Sequence, residues 1–240
     1  MSDSRADVPR RGEVEAGLRS VRERIDVARA AAGRTDAVHL VVVTKTFPAS
    51  DVAILADLGI ADVAENRDQE ASSKRAACAD LPAGLRWHMI GRLQRNKAAS
   101  VARWADVVES VDRPELVSAL ARSAEAAGRS LEVLIQVALD DPPLPGRGGA
   151  DPDSVLELAG QVAHQPMLAL RGVMGVAPFP GDPDEAFARL RVVAEQVRAE
   201  WPEADRISAG MSGDLESAIR QGATQVRVGG AVLGQRAIVQ

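Results

Sequence analysis

Eight short apolar runs, most of them β-branched, punctuate this chain, and a stretch with helical spacing follows each one. They fall at residues 38–46, 60–65, 85–90, 106–111, 131–139, 170–177, 206–209 and 225–228. Runs of this length bounded by Gly and Pro read as buried strands. Strand and helix in strict alternation give a parallel sheet, and eight such units in about 200 residues fit a closed (β/α)8 TIM barrel. An open doubly wound sheet is the alternative, but no strand leads into a G-x-G-x-x-G turn. Ahead of the first strand, Val14, Leu18, Val21, Ile25 and Ala28 recur at helical spacing and Gly33 can cap the end, which predicts one extra N-terminal helix over residues 11–32. The expected organisation is a flexible tail at 1–10 and a single barrel domain over 11–240, with no repeats.

The first strand, VHLVVVTKT, ends in Lys45. Side chains alternate along a strand, so Val41, Val43 and Lys45 share a face. Of 29 Lys and Arg residues only Lys45, Lys74 and Lys97 are lysine. Where positive charge alone is needed, this chain uses arginine. A lysine amine can lose its proton when desolvated and attack a carbonyl, which a guanidinium cannot do. Snorkelling of Lys45 from a strand end is the plainer alternative.

A net charge of −5 argues against a nucleic-acid surface. Cys78 is the single cysteine, which excludes an internal disulfide and fits a reducing compartment. His39, His88 and His164 lie far apart with no cysteine cluster, so no metal site is expected. The opening MSDSRADVPRRGE has no apolar core and no run reaches membrane-spanning length. A cytoplasmic protein without membrane partners is expected, and a monomer, since no oligomerisation segment stands out.

In such barrels the active site lies at the C-terminal strand ends, and the loops after strands 7 and 8 commonly bind phosphate. Here those loops read ISAGMSGD and VRVGGA. Ser208 and Ser212 offer hydroxyls, while Gly210, Gly213, Gly229 and Gly230 allow close approach of backbone amides at helix starts. Arg227, between Val226 and Val228, needs a partner: Glu65 or Asp214 in an ion pair, or a ligand atom in the barrel mouth. A phosphate clamp, a lysine across the mouth and an arginine between them point to a phosphorylated aldehyde held on the lysine, with pyridoxal 5′-phosphate the evident candidate.

These motifs carry a resemblance. VVTKT around Lys45, AENRDQE at 64–70, WHMIGRLQRNK at 87–97, VLIQV at 133–137, RGVMGVAP at 171–178, ISAGMSGDLESAI at 207–219 and VRVGGAVLGQR at 226–236 run in family order over 41–236. The chain resembles the pyridoxal phosphate homeostasis protein family, single-barrel relatives of the alanine racemase N-terminal domain. The resemblance implies a fold-type III barrel that holds pyridoxal phosphate as a Schiff base on Lys45. It also implies phosphate contacts from Ser208, Ser212, Gly229 and Gly230, Arg227 facing the pyridine nitrogen, and Asn66, His88 and Met174 lining the pocket. Several positions depart from the family pattern. Ala64 replaces a usual glycine, Arg67 a common aromatic, and Arg92 and Arg95 a usual proline and serine. Gly230 stands for threonine, and Arg147 is the nearest cation in a loop where many relatives carry lysine.

The function so implied is intracellular homeostasis of pyridoxal phosphate, binding and releasing it without a dedicated reaction and with no catalytic residue, apo pyridoxal-phosphate enzymes being the implied partners. The alternatives are an amino-acid racemase or decarboxylase on the same barrel, or an aldolase-like barrel using Lys45 directly. Racemases of this fold type pair the lysine with a tyrosine base and carry a C-terminal β-domain. This sequence has no tyrosine and ends with the barrel.

Overall fold

The computed structural model describes residues 7–81, 84–140 and 147–234. Its eight parallel strands close in sequence order: β1 (His39–Val43), β2 (Asp62–Glu65), β3 (Arg86–Met89), β4 (Val107–Val111), β5 (Leu131–Gln136), β6 (Leu168–Met174), β7 (Arg206–Ser208) and β8 (Gln225–Val228). β1 closes the barrel on β8, with His39 opposite Gln225 and Val42 opposite Val228. Between the strands run α2 (Ala49–Asp57), α3 (Asp68–Ala77), α4 (Ala98–Trp104), α5 (Pro114–Ala127), α6 (Val155–Ala163), α7 (Pro183–Glu200) and α8 (Leu215–Arg220), and α9 (Gly230–Leu233) follows β8. The chain is therefore a (β/α)8 TIM barrel.

The extra helix, α1 (Asp7–Ala31), starts four residues before the expected Arg11. Pro9 sits in its first turn, where a missing N–H breaks no intrahelical bond, so it does not delay the helix. The remainder of the expected tail, residues 1–6, lies outside the described residues. Val14, Leu18, Val21, Ile25 and Ala28 are all buried, as their spacing predicts, each contributing up to about 1.5–3 kcal/mol for the larger side chains.

Strand alternation splits the core in two. Val42, Val63, Val108, Val133, Val173 and Val226 face outward into one large cluster with the helices. Their neighbours face the barrel axis, where apolar packing is confined to Val41, Val43 and Ala64 on one side and Val107, Leu134 and Met174 on the other. The rest of the interior is polar: Asp62, His88, Glu109, Glu132, Arg206, Ser208, Gln225 and Arg227. Barrel interiors are usually filled by branched aliphatic layers. Here an ion and hydrogen-bond ladder takes their place.

Three strands, β1, β5 and β6, stop short of their apolar runs at the C-terminal mouth, β6 at Met174. β1 stops at Val43, because Phe47 N bonds back to Thr44 O at 3.0 Å and the chain turns. β5 stops at Gln136, after which Val137 bridges Ala150 at the far side of the loop. Six residues of that loop, 141–146, lie outside the described residues.

Candidate functional site

An open cavity of about 800 Å³ lies at the C-terminal mouth of the barrel, over β1, β7 and β8. Lys45, Ser212, Arg227, Gly229 and Gly230 line it together with Val43, Phe47, Ile90 and Met211. Residues from Val43 to Gly230 thus share one wall, which strand closure between β1 and β8 makes possible.

Lys45 projects from the turn just beyond β1 rather than from the strand itself. The residues on either side of it are clamped. Thr44 Oγ1 donates to Glu65 Oε1 at 2.6 Å, and Thr44 O accepts from Lys74 Nζ at 2.8 Å. Thr46, with φ of 69°, donates its N–H to Glu70 Oε1 at 2.5 Å. Lys74 Nζ reaches Glu65 Oε1 at 2.5 Å and Glu70 Oε1 at 3.1 Å. Three acceptors converge on this buried ammonium, matching its three protons. Lys74 is therefore a lysine for its geometry, and it anchors the backbone immediately before Lys45. Burial pushes the Glu65 carboxyl above the usual range, with Lys74 and Thr44 pulling against that shift.

The two Gly-rich loops face Lys45 across the cavity. Ser212 and Gly213 precede α8, and Met211 N is held by Asp214 Oδ1 at 2.6 Å. Gly229 caps α9, and a Cβ on it would lie 2.9 Å from Val43 O. Only glycine lets the β8 loop run this close to β1.

Arg227 reaches the cavity from below, 3% exposed. Its guanidinium donates to Ser208 Oγ at 2.6 Å and to Gly175 O at 2.9 Å, with Glu109 Oε2 at 3.8 Å. The counter-charge is therefore Glu109 of β4, not the Glu65 or Asp214 ion pair considered from sequence. Glu109 itself accepts from Ser208 Oγ at 2.6 Å and Gln225 Nε2 at 2.8 Å, and lies 2.6 Å from His88 Nδ1. His88 Nε2 is 2.9 Å from Asp62 Oδ1. Carboxylates at both ring nitrogens favour the imidazolium, which donates to each. Burial works against that charge, but the bonds to Asp62 and Glu109 outweigh it and raise the His88 pKa. For Glu109, burial pushes upward and is overcome by His88, Arg227 and Ser208, which bring it down to about 2.

The site residues expected from sequence are thus divided. Lys45, Ser212, Arg227, Gly229 and Gly230 meet at the cavity. Ser208 does not line it; it is fully buried beneath Arg227, between that guanidinium and Glu109. His88 points into the barrel axis rather than the mouth, because Asp62 and Glu109 hold both its nitrogens. Met174 packs inside the barrel against Val107 and Leu134. Asn66 lines a neighbouring basic cleft of about 600 Å³ with Arg67, Arg92, Lys97 and Arg113. Arg147 folds back onto Asp140, at 3.0 Å, and onto Val176 O and Ala177 O. Sequence reasoning passed over Glu109 and the role of Lys74, and weighed Glu65 as a partner for Arg227 rather than for Lys74. A signal for Glu109 was present: a carboxylate in the middle of the buried strand VVESV must be partnered.

Comparison with known proteins follows the same lines. The family described as alanine racemase, N-terminal domain, matches residues 17–237. The pyridoxal phosphate homeostasis protein of Mycobacterium tuberculosis is 46% identical, over 98% of this chain and 97% of its own. The structure of PipY from Synechococcus elongatus with PLP bound superposes with a TM-score of 0.78 at 31% identity, over 92% of this chain and all of that one. An alanine racemase from Streptomyces coelicolor shares the fold at 20% identity and a TM-score of 0.73, over 94% of this chain and 59% of its own.

Proposed function

The chain belongs to the alanine racemase N-terminal domain family, and from that premise we propose that it is a pyridoxal 5′-phosphate-binding protein of intracellular cofactor homeostasis. The observation that carries this reading is the convergence of Lys45, Arg227, Ser212 and the Gly229-Gly230 loop on one cavity. The donor set fits the group: an amine for the aldehyde, a hydroxyl and backbone amides for the phosphate, and a buried guanidinium between them for the ring nitrogen. When bound, pyridoxal phosphate supplies an electrophilic aldehyde and a ring that can delocalise charge. The protein's own residues bind and orient it. Lys45 would take the aldehyde and Ser212 with Gly229 and Gly230 the phosphate. An arginine has no acceptor atom, so Arg227 would donate to the ring nitrogen and keep it unprotonated.

A racemase reading is disfavoured by the direction of His88. Racemisation needs a base on each face of the substrate, and His88, the second base available near Lys45 in the sequence, is locked between two carboxylates inside the barrel. We therefore read the protein as having no dedicated reaction and as acting through holding and releasing the cofactor, with apo pyridoxal-phosphate enzymes as recipients. No helix among the described residues is long and apolar enough to cross a membrane, and the working expectation is a cytoplasmic monomer.

Absorption spectroscopy of the purified protein tests the reading: a visible band from bound cofactor is expected, absent from Lys45→Ala. Incubation of the loaded protein with each common L-amino acid, followed by assay of D-isomer, CO2 and keto acid, should show negligible product. Turnover of about 1 s⁻¹ or faster would restore the racemase or decarboxylase reading.

A further inference from the structure

Helix α1 belongs to no βα unit of the barrel, yet from outside it touches the Gly-rich loop after β7 and α9, the helix that follows the Gly-rich loop after β8. Arg24 NH2 donates to Ser212 O at 3.0 Å, while the same guanidinium grips Glu216 of α8 through Nε at 2.7 Å and NH2 at 2.9 Å. Arg10 NH2 donates to Leu233 O, the last residue of α9, at 3.0 Å. That guanidinium also binds Asp51 of α2 at 2.5 Å and lies 5.8 Å from the centroid of Phe47, a cavity residue. Midway between the two arginines, a Cβ on Gly17 would lie 2.3 Å from Val232 O. The helix backbone therefore rests directly on α9. Positions 10, 17 and 24 are spaced seven apart, so they form one stripe along α1. Each point of that stripe meets a segment that follows a cavity-lining loop.

We propose that α1 positions the phosphate-binding loops, with Arg24 setting the Ser212 loop and Gly17 and Arg10 setting α9. Affinity for the phosphorylated cofactor, relative to its unphosphorylated form, is then determined by a helix outside the barrel. The inference rests on the cofactor reading above. Its physical basis is that an anion bound by a few donors from two loops needs those loops at a fixed separation, and a displacement of about 1 Å is enough to lose directional hydrogen bonds. Strand pairing stops short of both cavity-lining segments: β7 meets β8 at Ser208 opposite Gln225, the bond from Arg227 N to Gly210 O at 2.9 Å lies before Ser212, and β8 pairs with β1 only as far as Val228, before Gly229.

Equilibrium dialysis of the full chain with pyridoxal phosphate and with pyridoxal tests this. Arg24→Gln and Gly17→Ala are compared with wild type and with Arg22→Gln, a control on the exposed face of α1. Thermal melts verify that each variant is folded. Wild type should prefer the phosphorylated ligand strongly. Arg24→Gln should raise the Kd for pyridoxal phosphate by about tenfold or more while changing that for pyridoxal by less than about twofold, and Arg22→Gln should change neither. Equal weakening toward both ligands, or a folded Arg24→Gln with the wild-type preference, overturns the positioning role. A wild type that does not discriminate, or does not bind, overturns the cofactor reading and this inference with it, whereas a discriminating wild type isolates the role of α1. If Gly17→Ala fails to fold, Arg24→Gln decides alone.

Discussion

At the scale of single residues, two lysines divide the work at the barrel mouth. Lys45 stands at the cavity, where the proposed function has it take the aldehyde, and Lys74 lies beneath it as an internal counter-charge. Borohydride reduction of the loaded protein followed by peptide mapping should place the pyridoxyl group on Lys45; recovery on Lys74 or Lys97 would refute the assignment. Lys74→Met should cost about 3–5 kcal/mol of stability, because removing one member of a buried pair strands Glu65. The double variant Lys74→Met, Glu65→Leu should recover most of that loss in denaturant titrations, since no buried charge is then left alone. The scarcity of lysine marked Lys45 in the sequence, but the same scarcity applied to Lys74 and went unread. The difference is tertiary: a lysine on a polar helix shows nothing in sequence of the strand-end carbonyl and carboxylates that packing brings to it.

Among the elements, the eight strands were legible from apolar periodicity, and so was the sidedness of α1. Their C-terminal ends were not, because a run such as VHLVVVTKT continues in apolar and β-branched residues past the point where Thr44 O captures Phe47 N. The glycines of the two loops after β7 and β8 led the sequence reading to an anion site, and both loops line the cavity, although the sequence did not distinguish Ser208 from Ser212. Inward or outward placement depends on barrel register, and it puts Ser208 under Arg227 and Ser212 at the cavity. Ser212→Ala should therefore weaken pyridoxal phosphate binding by about 1.5–3 kcal/mol through loss of a hydroxyl donor to an anion. Ser208→Ala should act differently, lowering affinity for pyridoxal and pyridoxal phosphate alike by loosening Arg227. Calorimetric titration with both ligands separates the two effects.

The whole molecule carries an interior of charges, and its stability should track their titration. Glu109 is held at about 2, and Asp62 and Glu132 are also lowered, against burial, by His88 and by Arg206 with Arg86. Groups lowered on folding stabilise above their unfolded values, near about 4, and that contribution is lost as pH falls through the folded ones. His88 is raised, so its contribution is complete below its unfolded value of about 6.5 and is lost as pH rises through the folded one. Thermal midpoints should peak between about pH 5 and 6.5, and His88→Gln should flatten the alkaline side of the curve. A maximum at pH 8 or above in wild type would contradict an imidazolium in the barrel. The arginine-rich composition has a separate consequence for chemistry applied from outside. Lys74 is sealed in the core and Lys97 is exposed, which leaves Lys45 as the amine in the cavity. An amine-acylating reagent therefore becomes an occupancy meter: label on Lys45 reads empty sites, and label on Lys97 supplies the internal standard in the same digest.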